Sequence, residues 1–182
     1  MTYGSSFSSN PGTVFSIATD GSAYSVLHRF AGNADGGYPL EARLIIGTDG
    51  KLYGITSGSG QIVTGTIFRI GTDGSAYSVL HVFNRADYPK GGLILDTDGN
   101  LYGVTRYGGA NSGEIFKFGN DGSGYSSIYS FTLQNESAIP SSGLLISTDG
   151  KTLYGVTSAY TGVSAGAFVK SNGTIFSFGL PK

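Results

Sequence analysis

The chain has 182 residues, including 31 glycines and 12 tyrosines, and only 13% of its residues are charged. Eleven basic and twelve acidic residues give a net charge of -1, which leaves no basic field to attract nucleic acid. The absence of cysteine excludes disulfides, thiolate metal sites and a cysteine nucleophile, and no run of about eighteen apolar residues could cross a membrane as a helix.

The composition also bears on location. Low charge, abundant small polar residues and tyrosine, and the lack of an oxidisable thiol favour an extracellular or periplasmic protein. The first residues show no charged segment followed by an apolar one, as a signal peptide would have. We therefore expect either a mature form or a chain that is not exported by that route.

One five-residue pattern occurs four times along the chain. It reads TVFSI at 13–17, TIFRI at 66–70, EIFKF at 114–118 and TIFSF at 174–178, with starts 53, 48 and 60 residues apart. Alternating β-branched and aromatic residues are typical of strands. An internal repeat of roughly 50 residues indicates a repeat architecture.

The unit is clearest between residues 89 and 131, where four strand-like runs follow one another. We call them A (92–95), B (100–105), C (114–118) and D (125–131). Asp-Gly pairs join A to B and C to D, which predicts tight type I′ hairpins with positive φ at both central residues. The same pair recurs in the other copies, at Asp20-Gly21, Asp49-Gly50, Asp73-Gly74 and Asp149-Gly150.

Four antiparallel strands per repeat of this length predict an all-β fold, a β-propeller of four-stranded blades. The Asp-Gly hairpins then share one side of the molecule, and the longer connections share the other. Those connections are 31–40, 57–64, 84–90, 106–113, 132–142 and 158–173. Binding sites on repeat scaffolds usually use the variable loops, so we expect a ligand on this long-loop side.

The residues resemble a known family, the GloVer-type tandem repeat of bacterial proteins. Its pattern is matched by Gly92-Leu93, by the DGNLYGVT stretch at 98–105 and by Gly113, Ile115 and Phe116, with close copies around Tyr53 and Tyr154. The resemblance covers almost the whole chain and implies a propeller-like fold. The family has no agreed activity, so no catalytic residue is transferred. Strands A and B are also similar, less closely, to those of NHL-type propellers.

The strand count predicts an incomplete ring within one domain, residues 1–182. It consists of a partial blade at 1–31, blades at 39–83 and 89–131, and a partial blade at 140–182. Because about three blades are too few to close, we expect a second chain to complete the ring, as a head-to-tail homodimer, or docking on a larger complex. A compact four-bladed monomer and an engineered or excised piece of a longer repeat protein are the alternatives.

Aromatic residues that do not recur lie in the predicted long loops. They are Tyr38, Tyr88, Tyr107 and Tyr160, and they accompany polar groups such as Asn33, Asp35, Asp87, Arg106 and Asn111. Flat rings beside polar groups suit a carbohydrate site. The competing interpretation is an ordinary solvated loop surface.

Strand A contains the clearest departure from the repeat. Arg43 stands where the other copies have Gly92 and Gly143, and Glu41 stands where they have Lys90 and Ser141. Strand A is expected innermost, where glycine suits crowded backbones and an arginine would project into the pore mouth. A ligand contact by Arg43 and a simple Arg43–Glu41 surface pair are both open.

The remaining candidates favour packing over chemistry. His28 and His81 occupy a strand D position that holds Tyr129 in the third copy, and the recurring rings Tyr53, Tyr102 and Tyr154 suit contacts between blades. No catalytic residue, cofactor or metal ligand is predicted. The expected function is therefore a non-enzymatic binding or structural module with a carbohydrate or protein partner.

The alternative from another class is a glycan-active hydrolase or lyase. A glycosidase needs two carboxylates across a cleft. Outside the hairpin turns the acids are Glu41, Asp35, Asp87, Asp96, Glu114 and Glu136. Convergence of two of them on the long-loop side would support that alternative.

Overall fold

The computed structural model describes residues 11–32, 35–39, 43–58, 64–84, 87–108, 112–119, 121–132, 138–159, 161–164, 167–170 and 172–180. Within these residues the fold is all-β, as predicted, with no α-helix and therefore no helix that could cross a membrane. The strands are β1 (Thr13–Ser16), β2 (Ser25–Arg29), β3 (Ile45–Ile46), β4 (Leu52–Thr56), β5 (Thr66–Ile70), β6 (Ser78–Val82), β7 (Pro89–Leu95), β8 (Asn100–Thr105), β9 (Glu114–Gly119), β10 (Ser126–Ser130), β11 (Ala138–Pro140), β12 (Leu145–Ile146), β13 (Thr152–Ala159), β14 (Thr161–Ser164), β15 (Ala167–Lys170) and β16 (Ile175–Gly179).

The strands form successive antiparallel sheets in chain order. Sheet I pairs β1 with β2, sheet II runs β3 to β6, and sheet III runs β7 to β10, each strand beside its sequence neighbour. In sheet IV the long strand β13 pairs with β11 and β12 on one edge and with β16 on the other. Tight hairpins explain the pairs β3–β4, β5–β6, β7–β8 and β9–β10, since such a hairpin can only join antiparallel neighbours.

The predicted strands B and C are confirmed. β8 begins and ends where strand B was expected, and the four copies of strand C are β1, β5, β9 and β16. β9 lies between β8 and β10, with Gly103 opposite Phe116 and Tyr102 opposite Lys117. The regular alternation of β-branched and aromatic residues accounts for this agreement.

The predicted type I′ turns are wrong. Gly21, Gly50, Gly74, Gly99, Gly122 and Gly150 have positive φ, but none of the aspartates before them does. In the turn from β9 to β10 the amide of Gly122 donates to the carbonyl of Gly119 at 3.1 Å, and the amide of Gly119 donates to the carbonyl of Ser123 at 2.9 Å. Five of the six hairpins are a type I turn followed by a left-handed glycine, the usual three-residue connection, whereas at Asp149-Gly150 the amide of Ser147 donates one residue further on, to the carbonyl of Thr152.

The aspartates stabilise these turns through their side chains. Asp20, Asp73 and Asp121 each accept the amide hydrogen of the serine two residues on, at 2.9 Å in every case. Hydrogen bonds from the side chains of these serines, and then from their amides, favour the ionised carboxylate and lower the pKa of all three aspartates below the ordinary value. An Asx-type turn therefore explains the recurrence of aspartate better than tolerance of positive φ.

Two predicted loops contain strands. The segment 158–173 holds the hairpin β14–β15, and 132–142 holds β11, which pairs with β13 through Ala138–Ala159 and Pro140–Thr157. β7 also begins at Pro89, three residues before the predicted start of strand A. Pro89 is tolerated because β7 is the edge strand of its sheet.

The core lies between the sheets rather than within one of them. A cluster of Val14, Phe30, Phe68 and Ile70 joins sheets I and II. A second cluster, Tyr53, Ile55, Ile67, Phe83, Leu93, Leu101, Phe116 and Phe118, joins sheets II and III. A third, Tyr102, Val104, Ile115, Phe131, Leu144 and Leu153, joins sheets III and IV. We call these three contacts the seams.

The residue before the tyrosine of each C-to-D turn offers a matched test of backbone strain. Ala23 and Ala76 have φ of 53° and 51°, whereas the third copy has Gly124 with φ of 69°. The left-handed region costs an alanine about 1 kcal/mol. We expect Ala76→Gly to raise the free energy of unfolding by up to about 1 kcal/mol and Gly124→Ala to lower it similarly. Urea denaturation measures the change in the free energy of unfolding for each variant. Changes of the same sign would contradict the assignment of a strained left-handed backbone at this position.

Candidate functional site

Each internal sheet uses its two sides for two different neighbours. In sheet III, Leu101, Phe116 and Phe118 belong to the seam with sheet II. Tyr102, Val104 and Ile115, one residue along in each strand, belong to the seam with sheet IV. Side chains alternate along a strand, so every sheet has a side for the preceding sheet and a side for the following one.

Stacked rings cross the first two seams. The imidazole of His28 in sheet I stacks on Tyr77 in sheet II, with ring centroids 3.6 Å apart and planes at 6°. His81 of sheet II stacks on Tyr125 of sheet III at 3.9 Å and 3°. In the third seam Tyr129 meets Phe178 at 5.4 Å. The histidines therefore pack between sheets, in keeping with the role predicted from their exchange for tyrosine.

A carboxylate accompanies each stacked pair. At the first seam Asp35 accepts the amide hydrogen of Ala31 at 2.7 Å, its carboxylate lies 3.2 Å from Nε2 of His28, and its carbonyl accepts the hydroxyl of Tyr77 at 2.6 Å. Burial, followed by the charge of Asp35, raises the pKa of Tyr77. The phenol thus remains a neutral donor that ties sheet II to the loop after sheet I.

At the second seam two carboxylates, Asp87 and Glu114, are near enough for the charge of one to act on the other. Glu114 replaces the threonine that the other copies have at this position, and the hydroxyl of Tyr125 donates to its Oε1 at 2.7 Å. Burial raises the pKa of Asp87, the amide of Asn84 opposes that effect, and the nearby charge of Glu114 adds to it. Burial also lowers the pKa of His81. However, Glu114 is only 8% exposed, so one of the two carboxylates is buried in the seam rather than open to a cleft.

The side of sheet IV that would meet a following sheet is exposed and apolar. Ile175 is 83% exposed and Leu145 67%, although Ile115, which corresponds to Ile175 in sheet III, is completely buried. Tyr154 and Val156 lie on the same side and are exposed, whereas Tyr102 and Val104 at the same repeat positions are buried. A hollow of about 270 Å³ lies over this surface, lined in part by Leu145, Tyr154, Val156 and Ile175. We call these four residues the following face of sheet IV.

At the other end of the array, the side of sheet I that would meet a preceding sheet is also exposed and apolar. Phe15 is 53% exposed, and Ile17 and Tyr24 are exposed as well. Their equivalents in sheet III, Phe116, Phe118 and Tyr125, lie in the second seam. The rings of Phe15 and Tyr24 contact each other at 5.6 Å. We call Phe15, Ile17 and Tyr24 the preceding face of sheet I.

Arg43 lies beside a cavity where the first strands of three sheets meet. The cavity, of about 240 Å³, is lined by Arg43, Gly91, Gly92, Leu93, Ile94, Gly143 and Leu144. The backbones crowd here. A Cβ added to Gly91 would collide with the backbone of Gly143, and a Cβ added to Gly92 would lie 2.8 Å from the Cβ of Arg43. The predicted reason for glycine in strand A is therefore confirmed. Glu41, the proposed surface partner of Arg43, lies outside the described residues.

The predicted long-loop residues come together only in part. Tyr88 packs edge-on against Tyr107 at 5.8 Å, and the guanidinium of Arg106 lies 5.4 Å from the Tyr107 ring centre. The amide of Arg106 donates to the carbonyl of Tyr88 at 2.8 Å, which fixes the two loops together. Lys90 follows within β7.

Tyr38 and Tyr88 share an unusual backbone. Their φ values are 55° and 46°, and left-handed conformations are rare for bulky side chains. Tyr38 occupies the matching place one repeat earlier, where its carbonyl accepts the amide of Ser57 at 3.1 Å, so the expectation that these two loop tyrosines do not recur is wrong. Tyr160, Asn33 and Asn111 lie outside the described residues, so the loop aromatics are not shown to form one site.

The faces of sheets I and IV were not among the predicted site residues. Phe15, Tyr154 and Ile175 recur in the sequence with buried counterparts, so their pattern indicates core packing. Only a comparison of their exposure with that of the equivalent residues in other repeats distinguishes them from core residues. The one sequence feature that could have indicated these exposed faces is the incomplete number of strands in the first and last repeats.

Comparison with known proteins gives one positive result. A family model described as the Gloeobacter/Verrucomicrobia repeat matches residues 1–176. The resemblance to a tandem-repeat family is thus confirmed. No curated protein matches the chain.

Proposed function

The chain belongs to the Gloeobacter/Verrucomicrobia repeat family, and on that basis we propose that it is a non-enzymatic assembly module. Its blades form part of a propeller, and the following face of sheet IV docks on the preceding face of sheet I in a second copy. The observation that supports this proposal is the exposure of Ile175 at 83% in a repeat position that is otherwise buried. Exposed apolar patches of this kind mark interaction sites.

The seams within the chain indicate what covers such a face. In each seam the following side of one sheet meets the preceding side of the next, with Ile67 and Tyr53 against Phe116 and Phe118 in the second seam. The two exposed faces are the same two surfaces, one of each kind. A second copy therefore offers the matching partner for both, which a protein with an unrelated surface does not.

The geometry that follows is head-to-tail. The last sheet of each copy packs on the first sheet of the other, so that two copies related by a two-fold axis make two identical seams and a ring of six to eight blades. Closure also covers both exposed apolar faces at once. An open chain of copies would instead grow into filaments.

Carbohydrate binding on the long-loop side is the second part of the proposal. Tyr88 is exposed and packs edge-on against the half-buried Tyr107, whose ring lies beside the guanidinium of Arg106. We expect Tyr88→Ala to abolish any signal that the purified protein gives on a glycan array. A hydrolase has less support, because Glu114 is buried and hydrogen-bonded to Tyr125.

Size-exclusion chromatography with light scattering tests the assembly. We expect a mass near twice the 18.8 kDa of one chain. Ile175→Asp on one face and Phe15→Asp on the other each place a charge in the seam, and each weakens association roughly 100-fold or more. Val82→Asp is the matched control, since Val82 is exposed but its equivalents Arg29 and Ser130 are polar.

The two face variants also test the head-to-tail arrangement. If sheet IV met sheet IV, only Ile175→Asp would dissociate the assembly, and Phe15→Asp would leave it intact. In the proposed arrangement both variants dissociate it. A single-chain mass for the unmodified protein at all concentrations, or an equal effect of Val82→Asp, would overturn the proposal.

A further inference from the structure

The cavity beside Arg43 has an electrostatic character that the packing of the sheets does not require. The groups lining it are one arginine, three glycines and three aliphatic residues, with no acid among them. The other two copies have Gly92 and Gly143 at the position of Arg43, so two of the three repeats fold without a charged residue here. In the described part of the chain Arg43 has no ion-pair partner.

The backbone at the cavity is irregular in a way that suits an anion. β7 pairs with β8 at Lys90–Val104, and the register resumes only at Ile94–Tyr102. The stretch 91–93 therefore forms a bulge, and residues in a bulge leave the regular ladder of hydrogen bonds. Gly91 is left-handed there, with φ of 66°. Successive amides around a left-handed residue form the concave surfaces that hold oxyanions.

The glycine at 143 keeps this backbone accessible. A Cβ on Gly143 would lie 3.2 Å from the amide nitrogen of Gly92 and 3.5 Å from the Cα of Gly91. Any side chain at 143 would therefore cover the Gly92 amide. The volume of about 240 Å³ is several times the roughly 30 Å³ that a water molecule occupies in the liquid, so a small polyatomic ion fits.

We propose that this cavity binds an oxyanion group, namely a carboxylate, sulfate or phosphate, with the guanidinium of Arg43 as its main partner. Guanidinium matches the geometry of such groups with two parallel hydrogen bonds. Gly92, which also lines the cavity and lies beside Arg43, contributes its backbone amide as a further donor in this proposal. This site does not depend on the docking of a second copy.

Titration calorimetry of the whole chain tests the proposal with sulfate, phosphate and acetate as separate probes at constant ionic strength. The probe that binds identifies the group. We expect Arg43→Gly, which restores the residue of the other copies, to weaken binding roughly tenfold or more, and Arg43→Lys to weaken it less. Arg29→Gln removes the same charge from the exposed end of β2 in sheet I, outside the cavity lining, and is expected to leave binding unchanged.

A second variant tests the cavity without changing the charge. Gly143→Ala is expected to weaken binding while retaining the fold, because the φ of Gly143 is not in the left-handed region. Absence of binding for all three probes, or equal losses in Arg43→Gly and Arg29→Gln, would overturn the proposal. Loss of thermal stability in Arg43→Gly with no anion binding would instead indicate the Arg43–Glu41 pair.

Discussion

Phe116→Ala is expected to lower the free energy of unfolding by about 3–5 kcal/mol. The ring is completely buried in the second seam, with centroids 5.4 Å from both Phe83 and Tyr125. Its edge also fills the space left by the missing side chain of Gly103. Truncation removes all these contacts at once and leaves a cavity that two sheets must close. Urea denaturation, monitored by circular dichroism at low protein concentration, measures the loss.

Phe15→Ala is the matched control, because Phe15 has the same place in sheet I but is 53% exposed. We expect it to change the stability of a single copy by less than about 1 kcal/mol. At concentrations where copies associate, the same substitution should become costly, since the ring then lies in a seam. Equal losses in the two variants at low concentration would contradict the assignment of the exposed face.

The contrast between these two phenylalanines shows that the seam is the unit of stability in this fold. Sheets I to IV each have little interior of their own, and the buried rings lie between one sheet and the next. Stability in such an array is approximately a sum of nearest-neighbour contacts. An uncovered end therefore lacks a stabilising contact that every internal sheet has, and this favours assembly.

The strands themselves could be predicted from the sequence because their signal is local. β8 combines an Asp-Gly turn with the alternating run from Asn100 to Thr105, and both of its ends were predicted correctly. The hairpin β14–β15 was missed because residues 158–173 contain no Asp-Gly pair and few aromatic residues. Without turn chemistry or periodicity, a short pair of strands cannot be distinguished from a loop.

The contacts between sheets could be predicted only where the copies differ. Arg43 stands out against two glycines, so its place beside crowded backbones followed from comparison of the repeats. The stacking of His28 on Tyr77 could not be predicted in this way, because these residues are 49 positions apart and neither departs from the repeat pattern. The convergence of Asp87 and Glu114 is likewise a product of sheet packing.

Gly91→Ala is expected to be the most damaging addition of a single methyl group within β7. Gly91 has φ of 66°, and an added Cβ would collide with the backbone of Gly143 in the next sheet. The left-handed conformation costs about 1–2 kcal/mol for alanine, and overpacking against a backbone adds about 1–3 kcal/mol. We expect a loss of roughly 2–5 kcal/mol in the free energy of unfolding, measured in urea.

Gly50→Ala separates the two contributions, because Gly50 has φ of 74° but no atom within 4 Å of the added Cβ. This variant should show the conformational cost alone, about 1–2 kcal/mol. The difference between the two variants then measures how closely the first strands of sheets III and IV approach. If Gly91→Ala costs no more than Gly50→Ala, the strands are farther apart than the structure places them, and Gly91 is required only for its backbone conformation.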